Sequence, residues 1–220
     1  MVGGLRYLVF TRPDIAYSVG VVSRFMERPT EMHLAAIKRI IRYVSGTFDL
    51  GLVYTKDEGN YLFSGYSDCD LAGNVDGRKS TGGMSFYLKE NLITWVSQKQ
   101  KCVALSSCES EFMAATTAAC QGIWLYNLLR KITDIKPGSV VLYIDNKSAI
   151  DLAKNPVFHE RSKHIDIRYH FTRECVERGD IILRHVNTNE QCADVLTKAL
   201  SRAKFEGMRE LLGVKKLQLV

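Results

Sequence analysis

Apolar residues recur at helical spacing along the first part of the chain and give way to the alternation of strands only after residue 50. RPDIAYSVGVVSRFM and TEMHLAAIKRIIRYVSG read as two helices parted at Arg28-Pro29, with Thr30 as N-cap and Gly46 as C-cap. GLVYTK, YLFSGYSD, GGMSFYLKEN and LITWVSQK are short runs rich in β-branched and aromatic residues, broken by Gly, Asn and charged positions at hairpin spacing. They predict an antiparallel meander. A long helix follows from Ser106 to about Ile132, opened by the capping box Ser106-x-x-Glu109. After it come a strand (SVVLYID), a short helix (NKSAIDLAK), a loop through Pro156 and a helix from about Ser162 to Arg178 closed by Gly179. A strand (DIILRHV) and a helix beginning near Glu190 complete the chain. The order β-β-β-α-β-α-α-β-α predicts an α/β fold in which a mixed sheet carries helices on its faces.

With 220 residues, 46% of them hydrophobic and 25% charged, the chain suits one good core plus a smaller appendage. No stretch reaches the ~18 apolar residues of a membrane span, and MVGGLRYLVF has neither a charged leader nor a small-residue cleavage site. An intracellular protein is expected. The six cysteines (Cys69, Cys102, Cys108, Cys120, Cys175, Cys192) form no C-x-x-C pair, so they read as reduced small hydrophobes and not as a zinc site or a disulfide framework. A net charge of +6 is compatible with a polyanionic partner, but residues 51–200 carry 18 charges of each sign, which leaves the excess at the two ends. The basic signal is therefore weak.

Four acids stand out by their placement. Asp68 ends the strand YLFSGYSD, Glu111 lies in the first turns of the long helix, Asp145 terminates VVLYID, and Asp194 opens the last helix. In an open α/β sheet, the carboxyl ends of neighbouring strands and adjacent helix starts converge on one crevice. Carboxylates gathered there repel one another unless cations neutralise them, so the joint placement points to metal binding. Asp70 competes with Asp68, and Asp68 is favoured because the strand is expected to end at GYSD. Glu109 competes with Glu111, and two residues turn a helix by about 200°, so only one of them faces the crevice.

The phrases FTRPDIAYSVGVVSRFMERP, RIIRYVSGT, GYSDCDLAGNVDGRKSTGG, ALSSCESEFMAA, LYIDNKSAI, NPVFHERSKHIDIRYHF and ADVLTKAL are long and specific, and the chain that carries them resembles the ribonuclease H region of copia-type LTR retrotransposon Pol polyproteins. The resemblance runs essentially from end to end. It implies a ribonuclease H-like five-stranded mixed sheet with flanking helices, preceded by a short helical appendage. Residues 1–50 then correspond to the C-terminal tail of the reverse transcriptase, 51–205 to the ribonuclease H domain and 206–220 to a basic C-terminal tail. It further implies an endonuclease that hydrolyses the RNA strand of RNA:DNA hybrids, with two Mg²⁺ ions, or Mn²⁺ in their place, held by Asp68, Glu111, Asp145 and Asp194. By that analogy Asp68 bridges both ions, Asp194 supports the ion carrying the attacking water, Glu111 the ion on the leaving-group side, and Asp145 completes the cluster. Glu111 is chosen over Glu109 because it precedes FMAA as the family's acid precedes its own apolar run.

The implied partners are an RNA:DNA hybrid and a reverse transcriptase domain, in the cytoplasm within a virus-like particle or in the nucleus. Ser80, Thr81 and Ser107 are candidates for reading 2′-hydroxyls, and His164 with Arg168, at i and i+4 on one helix face, for phosphate contact. His185 is a candidate for assisting product release. No C-x-x-C follows His159, His164 and His170, so the zinc pattern of integrases is absent. Leu71 stands where copia-type elements often have Trp, and Asn74 and Gly77 replace acids. Tyr143-Ile144-Asp145-Asn146 has one Asp in an unrelated context, which excludes polymerisation. The alternative reading is a catalytically silent remnant that binds nucleic acid or packs against a polymerase.

Overall fold

The computed structural model describes residues 1–56, 62–73, 77–133, 138–154 and 163–217, with the side chains of 163–167 and 169 outside that description. Helices α1 (Val2–Leu8), α2 (Ala16–Ser23) and α3 (Glu31–Ser45) lead into strand β1 (Leu50–Leu52). Strands β2 (Phe63–Asp70), β3 (Thr81–Leu88) and β4 (Asn91–Lys99) then form the meander, followed by α4 (Ser107–Ile132), β5 (Val140–Ile144), α5 (Lys147–Lys154), α6 (Lys163–Glu177) and β6 (Ile181–His185). A 3₁₀ turn (Cys192–Leu196), α7 (Arg202–Leu211) and β7 (Val214–Lys216) close the chain. The main sheet has the order β4-β3-β2-β5-β6, antiparallel through β2–β4 and parallel from β2 across β5 to β6.

Strand alternation separates two faces. Phe63, Phe86, Leu142, Ile144 and Leu183 face α4 and α5, where Phe112, Ala115, Ala118, Ala119 and Ile150 cover them. Small residues on α4 let the helix lie close to the sheet. Gly65 and Gly122 make room for one ring: a Cβ on Gly65 would stand 2.5 Å from Phe86 Cε1 and one on Gly122 3.1 Å from it. On the opposite face Tyr87 and Leu92 pack with Ala16 of α2, Val195 and Leu196 of the 3₁₀ turn, and Met208 and Leu212 of the α7 region. Burying an aliphatic side chain of this size stabilises by roughly 1.5–3 kcal/mol, so this second layer is a substantial part of the fold.

The structure corrects several expectations. α1 was not anticipated, because Gly3 and Gly4 lower helix propensity in so short a segment. GLVYTK supplies β1, which pairs antiparallel with β7 (Leu50↔Lys216) and not with the meander. The helix expected near Glu190 is the 3₁₀ turn, and the final α-helix begins at Arg202. Residues 206–217 are the end of α7 and β7, with Met208, Leu212 and Val214 buried, where a basic tail was expected. β2 continues past Asp68 to Asp70. The loop through Pro156 lies outside the described residues.

Candidate metal centre

Because β2 alternates, Tyr66, Asp68 and Asp70 lie on the face that the 3₁₀ turn covers. The turn is fixed there by Gln191, fully buried, whose Nε2 donates to Ser67 O at 2.9 Å while its Oε1 accepts from Ala193 N at 3.3 Å. Asp194 is thereby set against Asp68 across the end of β2. Asp145 follows β5, the parallel neighbour of β2, and Asn146 beside it starts α5 by accepting from Ala149 N at 3.1 Å. Ligand oxygens of Asp68, Asp145 and Asp194 all lie within 4.8 Å of one another, with Asp68 and Asp194 buried and Asp145 half-buried. Two hydroxyls and two ammonium groups meet this cluster. Thr188 Oγ1 donates to Asp145 Oδ2 at 3.2 Å. Thr197 Oγ1 donates to Asp68 Oδ2. Lys198 Nζ lies 2.7 Å from Asp194 Oδ1 and 3.5 Å from Asp68 Oδ2, and Lys204 Nζ pairs with Asp194 Oδ2.

Glu111 reaches the same strand end from the α4 face. It stands outside the three-acid group, yet close enough that its charge is felt. Burial, then the charges of Asp68 and Asp145, push the Glu111 carboxyl up to about 9, while a main-chain hydrogen bond at Cys69 opposes the rise. Its Oε2 is buried without a hydrogen-bond partner. Asp68 is raised to about 6 by burial foremost, with Lys198 opposing and Asp194 adding to the shift. Burial lowers the Lys198 ammonium, but Asp68, Asp194 and Asp145 outweigh it and hold the lysine charged. An unpartnered buried carboxylate oxygen beside three converging carboxylates is a donor set of hard oxygens, which fits a divalent cation such as Mg²⁺.

The competing acids have other work. Asp70 Oδ1 accepts from Thr81 N at 2.7 Å, bracing the turn between β2 and β3. Glu109 Oε2 accepts from Leu105 N at 2.8 Å and its main-chain N–H donates to Ser106 Oγ at 3.1 Å, so it serves the N-terminus of α4. Of the other candidates, Ser80 and Thr81 are buried. Ser80 Oγ accepts from Ala72 N at 3.1 Å, Thr81 Oγ1 accepts from Arg24 Nη2 at 3.1 Å, and neither residue faces solvent. Ser107 is exposed at the start of α4, and His185 is exposed at the end of β6. Arg168 lines a cleft of about 300 Å³ with Gln98, Lys99, Lys101 and Thr117, while the side chain of His164 lies outside the described part. Thr197, Lys198 and Lys204 were not singled out in the sequence. The spacing of Asp194 and Lys198, i and i+4 within ADVLTK, was the available signal for one of them.

Three antiparallel strands, two parallel ones and flanking helices, with acids at the ends of β2 and β5, define a ribonuclease H-like fold. No family model matches the chain. It is 45% identical over 97% of its length to the retrovirus-related Pol polyprotein from transposon TNT 1-94 of Nicotiana tabacum, and 45% identical over 97% to that from transposon RE1 of Arabidopsis thaliana. These relatives over nearly the whole chain are retrovirus-related Pol polyproteins from transposons, and the chain spans 16% and 14% of the length of the two. Among solved structures it is similar to the foamy viral protease-reverse transcriptase dRH in complex with double-stranded DNA (TM-score 0.52, 14% identity, 84% of this chain and 31% of that one). It is also similar to LC11-RNase H1 in complex with an RNA/DNA hybrid (TM-score 0.45, 13% identity, 61% of this chain and 93% of that one).

Proposed function

We propose that this chain is the ribonuclease H region of a retrotransposon Pol polyprotein and hydrolyses the RNA strand of RNA:DNA hybrids with two divalent ions. The observation that carries the reading is the convergence of Asp68, Asp145 and Asp194 within 4.8 Å, with Glu111 buried beside them. These four residues would hold Mg²⁺, or Mn²⁺ in its place. Divalent ions held there supply a lowered pKa for a bound water and neutralise charge on the scissile phosphate. The chain's own residues do the positioning: Gln191 seats the turn that bears Asp194, Thr197 orients Asp68, and Thr188 Oγ1 donates to Asp145 Oδ2 at 3.2 Å. Exposed Ser107 and the Arg168 cleft are proposed to meet the hybrid, and His185 to assist product release. A reverse transcriptase domain is the proposed protein partner.

The test is cleavage of a labelled RNA:DNA duplex by purified protein. With Mg²⁺ or Mn²⁺, RNA should be cut only when paired with DNA, leaving 5′-phosphate and 3′-hydroxyl ends. Equal cutting of single-stranded RNA, or full activity in a chelator, would rule the reading out. A second reading, a non-catalytic module that binds nucleic acid or packs on a polymerase, is favoured by the engagement of both Asp194 oxygens with lysines. It predicts hybrid binding without cleavage in the same assay.

A further inference from the structure

Asp194 is enclosed by two cations that come from different elements. Lys198 follows the 3₁₀ turn and reaches both Asp194 Oδ1 and Asp68 Oδ2, so it bridges two acids of the cluster. Lys204 comes from the first turns of α7 and takes Asp194 Oδ2. A carboxylate oxygen that faces an ammonium group is not free to ligate a second cation, and the two positive charges repel at contact distance. Ligation through Oδ2 therefore requires Lys204 to withdraw. It has the means: its side chain is 29% exposed, and a four-carbon stem can carry the ammonium into water without moving the helix. The helix is anchored independently by burial of Met208 and Leu212.

We propose that Lys204 is a positioning residue that holds Asp194 in place and competes with divalent cations for its Oδ2, so that α7 sets the affinity of the metal centre. This rests on the metal-centre reading given above. The helix carries a matched control, since Arg202, two residues earlier, pairs with Glu206 at 3.0 Å and its side chain is 91% exposed. Removing either charge changes the net charge equally, but only one of them touches the acid cluster.

The experiment is a Mn²⁺ titration of the full chain followed by electron paramagnetic resonance at fixed ionic strength, with melting in chelator and in Mn²⁺ as a second readout. Lys204→Gln should bind Mn²⁺ roughly three- to tenfold more tightly than the parent. In chelator it should melt lower, because a buried carboxylate has lost a counter-charge, and Mn²⁺ should close the gap. Lys204→Arg and Arg202→Gln should titrate like the parent. Lys204→Met, which keeps the apolar stem, gives the same reading if the Gln variant does not fold. Unchanged or weaker binding by Lys204→Gln, or an equal gain by Arg202→Gln, overturns the proposal while leaving the metal centre standing. If neither parent nor variants bind Mn²⁺, the metal-centre reading falls and the role of Lys204 falls with it.

Discussion

Gly83 of β3 and Thr197 after the 3₁₀ turn occupy one space: a Cβ on Gly83 would lie 2.6 Å from Thr197 Cγ2 and 2.8 Å from Leu196 Cβ. Gly83 is also the cross-strand partner of Asp68, so the missing side chain lets the turn settle directly over the acid. Gly83→Ala should push Thr197 and Asp194 away from Asp68. Overpacking of this kind costs about 1–3 kcal/mol, and cleavage should fall more steeply than stability because the ligands move. Gly82→Ala is the comparison: its Cβ would meet Ala114 Cβ at 3.7 Å, an ordinary contact. Urea unfolding and cleavage rates of the two variants check this, and equal behaviour would show that the turn does not depend on Gly83.

The two glutamates of α4 should separate cleanly. Glu111→Gln removes a buried acid whose Oε2 has no partner, so cleavage should be abolished while the fold holds. Glu109→Gln retains an oxygen for Leu105 N and should at most weaken the helix start, by ~1 kcal/mol, with cleavage kept. Cleavage rates with thermal melts of both variants decide, and the reverse pattern would exchange their roles.

The elements that carry strong periodicity were legible in the sequence. Residues 31–45, 107–132 and the three meander strands fall where the apolar pattern puts them. Asp68, Asp145 and Asp194, which the structure gathers, stood out in the sequence by their expected places at strand and helix ends, whereas Glu111 was separated from Glu109 only by the resemblance. What could not be read depended on partners distant in sequence. β1 is defined by β7, more than 160 residues away, and the 3₁₀ turn is held by Gln191 on Ser67 O. Lys204 likewise meets Asp194 only through the packing of α7. Asp70 was set aside because β2 was expected to stop at Asp68; the strand continues, and it is the hydrogen bond from Thr81 N that gives Asp70 its separate role.

Without divalent metal, stability should decline as pH rises. Asp68 and Glu111 are raised from 3.8 to about 6 and from 4.5 to about 9, so between those limits the folded chain binds more protons than the unfolded one. The slope of unfolding free energy with pH is then negative. The stabilising difference is fully present below about pH 4 and is lost as pH climbs through about 6 and then about 9. Glu111→Gln should remove the upper part of this decline. Urea unfolding in chelator from pH 5 to 9 measures it, and a rise in stability over that window at these two sites would contradict the assignment.

Residues 1–48 should be needed for folding. Trp95 Nε1 of β4 donates to Val9 O at 3.0 Å, and Ala16 completes the apolar layer over Val195 and Leu196. The buried pair of Arg12 and Asp14 receives Tyr43 OH at 2.6 Å, and Arg209 Nη1 of α7 donates to that hydroxyl at 3.3 Å. Deletion would expose an apolar face and take from Trp95 Nε1 its acceptor and from Arg209 Nη1 the Tyr43 hydroxyl. A chain starting at residue 49 should be insoluble or lack a cooperative melt. A soluble, cooperatively folding truncation would show that the leading helices are dispensable.

Asp145→Asn keeps shape and volume while removing one charge from the cluster. An amide oxygen can still accept from Thr188 Oγ1, now 3.2 Å from Oδ2, so the local hydrogen bond survives. Asp68 and Glu111 both feel the charge of Asp145, and its loss should ease their repulsion, leaving stability in chelator unchanged or slightly higher. Hybrid affinity should persist, since phosphate and 2′-hydroxyl contacts lie largely outside the acid cluster. Cleavage should nevertheless collapse, because an amide is a poorer ligand than a carboxylate; a loss on the order of 10³-fold, roughly 4 kcal/mol of barrier, is expected. The variant therefore calls for three measurements together: melting in chelator, hybrid affinity at fixed salt, and cleavage rate. Cleavage near the parent rate would remove Asp145 from the ligand set and with it the two-ion assignment, whereas lost cleavage with intact folding and binding places the residue in the chemistry alone.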